Sequence, residues 1–152
     1  MGTTMKHFHF ALVLTLCLSM PLMAQSDVEG EAEAVFATFL EAMTNGDDET
    51  LASLFAEDAL FWGTGSQSLV TTPAGVQAYF EPVGRFSPGA NVAGALDVEI
   101  RAPGSDMVMV SGMWDILPQG QTTAVPMRVS MLLALRNREW KIIQFHNSTV
   151  PG

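Results

Sequence analysis

Few side chains in this sequence are of a type that could act on a small molecule. His146 stands in the C-terminal stretch Trp140 to Ser148, where an imidazole titrating near neutral pH would serve as a donor or general base. Arg128 precedes Val129 and the run Met131 to Leu135. Arginine is seldom buried without a partner, and its forked guanidinium suits a carboxylate or enolate oxygen. Asp115 follows Trp114 inside the apolar run Met107 to Leu117. A carboxyl in apolar surroundings has a raised pKa and can shuttle a proton. Trp62, Tyr79 and Trp114 would suit the wall of an apolar pocket. Each of these has a structural alternative. These are an Arg128 that ends a strand, paired with Asp115 or Glu99; a His146 bonded to backbone; an Asp115 facing water before the Pro118 turn; and aromatic residues that are ordinary core.

Metal and cofactor chemistry finds little material. Beyond residue 24, His146 is the single histidine and cysteine is missing, so zinc lacks ligands. Met107, Met109 and Met113 share one strand face, which suggests copper(I), but methionine is a common core filler among leucine and valine. No Ser-His-Asp set, phosphate loop or dinucleotide fingerprint is present, and no cofactor is implied.

The elements that must position these residues follow from periodicity. Ala32, Val35, Phe36, Phe39, Leu40 and Met43 recur at threes and fours, which predicts an amphipathic helix over 27–45. Glu29, Glu31 and Glu33 lie near its favourable N-terminal end, and Asn45-Gly46 stops it. Asp47 or Asp48 caps a short helix reaching Glu57-Asp58. Ala59 to Gly63 suits a strand, and Thr72-Pro73 starts a third helix. Four strands follow, Val92–Arg101, Met107–Leu117, Thr122–Leu135 and Trp140–Ser148, separated by tight turns. Pro126 points to an edge or a bulge. Helices first and strands later predict an α+β fold with the helices on one face of an antiparallel sheet.

The chain has 152 residues, 48% apolar and 15% charged, enough for one domain with an ordinary core. Sixteen acidic residues against seven basic ones give a net charge of −9, which leaves no basic patch for nucleic acid. Residues 1–24 read as a secretory signal peptide: Lys6 first, then the apolar run Phe10 to Leu18, then Pro21 and Leu22-Met23-Ala24 before Gln25. The run is about half the ~20 residues of a membrane span, and Leu16 stands where a lipoprotein signal at Cys17 needs a small residue. Cleavage after Ala24 leaves residues 25–152 as one domain without cysteine, and loss of Lys6 takes the charge from −9 to −10. No membrane association is expected after cleavage.

The ending Arg128-Val129-Ser130, a turn at 136–139, then Trp140, His146, Ser148 and Pro151 resembles the C-terminal hairpin of the SnoaL-like and DUF4440-type branch of the nuclear transport factor 2-like superfamily. That branch includes the association domain of calcium/calmodulin-dependent kinase. The break at Asn45 to Asp47, and Asp58 ahead of Phe61-Trp62, agree with it. The resemblance implies a curved sheet wrapped around the long helix, a cone-shaped half-barrel with a pocket at its open end, and dimers formed through the sheet. It implies no single activity, since members include ketosteroid isomerase, polyketide cyclases, dehydratases and binding modules.

The expectation is an exported domain binding a partly apolar, anionic or carbonyl-bearing small molecule through Arg128, His146, Trp62, Tyr79 and Trp114. One alternative is an isomerase, cyclase or dehydratase with His146 or Asp115 as base and Arg128 as oxyanion stabiliser. Another is a dimerisation module with a collapsed pocket. Apolar residues on both faces of the strands from Val92 to Leu135 favour a homodimer. Expressed with its leader in a bacterium, the protein should appear in the periplasm or medium and begin at Gln25. Intact mass retaining Met1 would contradict this.

Overall fold

Apolar residues at helical spacing need a surface to cover, and the sheet supplies it. The computed structural model describes residues 23–85 and 87–151; the signal segment expected over residues 1–24 lies, up to residue 22, outside the described residues. Helix α1 (Met23–Asn45) buries Ala32, Phe36, Phe39 and Ala42. Gly46 ends it at φ +68°, the left-handed conformation that glycine adopts freely. Asp47 caps α2 (Asp48–Ser53) by accepting from the Thr50 N–H at 2.9 Å and the Thr50 hydroxyl at 2.7 Å. These bonds hold its carboxyl below the usual carboxylate range, so the cap is present at neutral pH and is lost as pH falls through that lowered value.

The second helix is shorter than expected. Phe55–Trp62 is strand β1, because Phe55, Ala59 and Phe61 are all drawn into the core. Thr72 caps α3 (Pro73–Phe80) through the Gly75 N–H. A short 3-10 turn (Val83–Arg85) precedes β2 (Asn91–Arg101), β3 (Met107–Pro118), β4 (Val125–Arg136) and β5 (Glu139–Thr149). The order across the sheet is β1-β5-β4-β3-β2.

Strands β2 to β5 form the expected antiparallel meander. Its last turn is Asn137-Arg138, with φ of 52° and 70°, the geometry of a two-residue hairpin. Strand β1 departs from the all-antiparallel expectation by joining β5 in parallel. The connection through α3 carries the chain from one sheet edge to the other, so no hairpin dictates its direction. Pro126 is not at an edge: β4 lies inside the sheet, and Pro126 opens it as the second residue, opposite Asp115.

The inner face of the sheet packs on α1 and α3. Val108, Val110 and Trp114 of β3, Met127, Val129, Met131 and Leu133 of β4, and Ile142 and Phe145 of β5 are buried there. Polar bonds fix the helix against the sheet ends: the Trp140 indole N–H donates to Glu31 at 2.5 Å, and the Ala93 N–H donates to the Thr44 hydroxyl at 3.0 Å.

Curvature shows at Gly112. The register of β2 against β3 slips between Ala95 and Asp97, and this bulge brings the backbone of Asp97 and Val98 to the place where a Gly112 side chain would stand. Gly112→Ala should therefore destabilise the fold by about 2 kcal/mol or more. Gly30→Ala, in the exposed part of α1 with nothing near its would-be side chain, should stabilise it by about 0.5–1 kcal/mol. Denaturant unfolding of the two variants checks both signs.

Candidate functional site

Between α1, α3 and the inner face of β3 to β5 the packing leaves a cavity of about 220 Å³. Phe39, Phe80, Trp114 and Phe145 form most of its aromatic wall, and Met43, Val83 and Met127 add aliphatic surface. The rings also hold one another. Phe39 meets Trp114 edge-on and Phe145 at a tilt, each with centroids 5.6 Å apart. An apolar cavity of about 150 Å³ takes benzene, so this one suits a ligand of roughly ten non-hydrogen atoms.

Three polar side chains reach the cavity: Thr64, Tyr79 and Asn147. Asn147 is only 6% exposed, and its carboxamide is fully engaged. The Trp114 indole N–H donates to Asn147 Oδ1 at 2.8 Å. Asn147 Nδ2 donates to Thr64 Oγ1 at 2.6 Å and to Met127 Sδ at 3.3 Å. Indole nitrogen only donates, so it sets which end of the amide is oxygen. Tyr79 packs over Gly63, where any side chain would overlap its ring, and its hydroxyl accepts from the Gly65 N–H at 3.4 Å. Thr64, exposed, stands at the rim. None of the cavity-lining residues is charged.

Of the six residues singled out from the sequence, Tyr79 and Trp114 lie in this cavity. Arg128, His146, Asp115 and Trp62 do not. Arg128 and Ser130 alternate with buried Met127, Val129 and Met131, so the guanidinium lies on the outer face, exposed, donating to the Thr149 carbonyl at 3.2 Å. Asp115 follows inward Trp114 and stands beside Gly94 on the outer face. Trp62, 39% exposed, pairs with His146, which in turn lies opposite Ser130.

His146 has a specific reason for pointing outward. Plain alternation from Trp140 and Ile142 would turn it toward the helix. Leu132 pairs with Gln144 and Leu133 with Ile142, so Ile143 is an extra, bulged residue. The bulge reverses the alternation. Phe145 and Asn147 turn inward, and Gln144 and His146 outward. Asn147 was missed for the same reason, since only the bulge makes it a core-facing position. Thr64 belongs to a loop and gives no periodic signal.

Among the described residues, no three His, Cys, Asp or Glu side chains gather closely enough to hold a metal ion. The arrangement offers an apolar, uncharged, half-open pocket with hydroxyl groups and one oriented amide. It contains no carboxylate or imidazole placed to move a proton.

Residues 32–151 match the family profile of the SnoaL-like domain, and the chain belongs to that family. The fold is shared with solved structures at low identity. A candidate calcium/calmodulin-dependent protein kinase II association domain from Xanthomonas campestris is 22% identical, with a TM-score of 0.71 over 80% of this chain and 86% of that one. A nuclear transport factor 2-like protein of unknown function from Pseudomonas putida is 17% identical, with a TM-score of 0.73 over 81% and 87%. A candidate dehydratase of the same family from Streptomyces avermitilis is 18% identical, with a TM-score of 0.70 over 84% and 99%. A search of curated proteins found no match.

The indole N–H of Trp114 has one role that phenylalanine cannot fill. Trp114→Phe should cost about 1–3 kcal/mol by leaving Asn147 Oδ1 without its donor. Gln67→Ala, exposed in the loop after β1, should stay within about 0.5 kcal/mol. Chemical denaturation of both variants separates the two positions.

Proposed function

We propose that this SnoaL-like domain is an exported binding module for a small, largely apolar molecule carrying a carbonyl or similar oxygen, and that it works as a homodimer joined through the outer face of its sheet. One observation carries the binding reading: the aromatic cavity of about 220 Å³, with a hydrogen-bonded polar cluster and no charge in its lining. Binding sites for small molecules are mostly apolar enclosures with a few placed polar groups. The anionic ligand expected from Arg128 loses its support, because that side chain lies on the other side of the sheet. Binding is preferred over isomerisation, cyclisation or dehydration for a related reason: His146 and Asp115, the groups with a proton to exchange, lie outside the cavity.

The dimer reading rests on the outer face. Leu60, Trp62, Met107 and Met109 are all more than a third exposed there, the first two on β1 and the last two on β3 of the same sheet. Apolar surface of this kind is commonly covered by a partner, and a two-fold pairing is the usual way to cover it. Export rests on the leader read from residues 1–24.

The binding test uses isopropylbenzene, a neutral probe of the size the cavity admits. Ligand-observed NMR should detect saturable binding at one site per chain, and Val83→Phe, which fills the cavity, should weaken it about tenfold or more. Binding that ignores Val83→Phe would move the site elsewhere. Light scattering at micromolar concentration should give twice the chain mass, and a monomer mass would overturn the dimer.

A further inference from the structure

We infer that the cavity selects a neutral ligand with a single hydrogen-bond acceptor, of the aryl ketone, ester or ether class, and that the Thr64 hydroxyl is the group that reads it. This rests on the pocket reading above and names its ligand class. The starting point is the direction of the hydrogen bonds. The Trp114 indole can only donate, so Asn147 must present its oxygen to it and its nitrogen to Thr64. One Asn147 proton goes to Thr64 Oγ1 and the other to Met127 Sδ. The Thr64 oxygen thereby accepts one bond, and its own proton is donated to no partner among the described residues. The chain Trp114 to Asn147 to Thr64 runs one way and ends in an O–H at the rim of the cavity. Tyr79 adds a second hydroxyl of the same kind, accepting from Gly65.

A ligand that completes this arrangement supplies a lone pair. The amide of Asn147 is clamped by partners on β3, β4 and the loop after β1, so Thr64 is held in place before the ligand arrives. Such preorganisation lowers the cost of ordering on binding. Charge decides the rest. A carboxylate entering the cavity would leave water without meeting a cation, since no Lys, Arg or His lines it, and an unpaired buried charge is strongly disfavoured. A quaternary ammonium would find aromatic rings, but the two hydroxyl groups would have no lone pair to meet.

The test uses four probes of nearly equal size: isopropylbenzene, acetophenone, benzoate and phenyltrimethylammonium. Their dissociation constants are measured by NMR titration on the wild-type chain and on Thr64→Val and Thr64→Ser. Hydrocarbons gain more than ketones on leaving water, so the hydroxyl is read by comparing each probe between variants. Valine keeps the shape of threonine but cannot accept from Asn147 Nδ2, so isopropylbenzene controls for any disturbance of the cavity that this loss causes. Thr64→Val should weaken acetophenone about fivefold and leave isopropylbenzene within about twofold. Thr64→Ser should restore acetophenone binding. Benzoate and phenyltrimethylammonium should bind at least about tenfold more weakly than acetophenone. Acetophenone binding that is indifferent to Thr64→Val overturns the inference and leaves the pocket reading intact. So does benzoate or the ammonium probe binding as tightly as acetophenone. If none of the four probes binds, the pocket reading itself fails and the ligand class falls with it.

Discussion

Phe39 must touch two strands of the sheet and a second helix at once, and much of the architecture follows from that requirement. Its ring is 1% exposed. It contacts Trp114 on β3, Phe145 on β5 and Phe80 on α3, with centroids 5.6 to 6.3 Å apart. Strands β3 and β5 flank β4, about 10 Å from each other across the sheet, and their side chains close on this ring from either side. The sheet curves around the helix, with register slips in β2 at Ala95–Asp97 and in β5 at Ile143, and with Gly112 leaving room for the first of them. Burying a phenylalanine of this kind is worth about 1.5–3 kcal/mol, and edge-on ring pairs add to it. Where the curved sheet and the helix part, the rings line a space they do not fill.

That space would be a plain apolar void without Asn147. A buried carboxamide costs free energy unless its hydrogen bonds are made, and here Trp114, Thr64 and Met127 satisfy it. Among the described residues no buried side-chain nitrogen or oxygen lacks a partner. The network therefore joins β3, β4, β5 and the loop after β1 at one point, and gives an apolar enclosure a direction. Satisfied polar networks of this sort hold a core to one arrangement. The cavity's chemistry and the local fold thus share the same four side chains.

Much of the fold was legible in the sequence because it rests on local signals. Asn45-Gly46, the Asp47 cap, Thr72-Pro73 and the four late strands all lie where spacing and turn chemistry put them. The failures have physical causes. Phe55 to Asp58 read as helix because Leu51, Leu54 and Phe55 suit a helical face, but tertiary burial of Phe55, Ala59 and Phe61 makes it strand. The parallel pairing of β1 depends on a crossover that no short-range pattern reveals. The site was read least well. Period-two alternation is reliable only until a bulge, and Ile143 carries one in the strand that holds both His146 and Asn147. Charged residues attract attention in an apolar strand, yet Arg128 and His146 point away from the cavity, while an uncharged asparagine between them in chemistry supplies its polar centre.

The three tryptophans report on three different places, which makes one spectrum decisive. The Trp114 indole N–H lies in the polar network of the cavity, that of Trp140 donates to Glu31 at the helix, and Trp62 is on the outer face. In a ¹H–¹⁵N correlation spectrum with acetophenone added, the Trp114 indole resonance should shift in a saturable way while those of Trp62 and Trp140 stay in place. A shift confined to the Trp62 resonance, with Trp114 unmoved, would put the binding surface on the outer face of the sheet and contradict the cavity as the site.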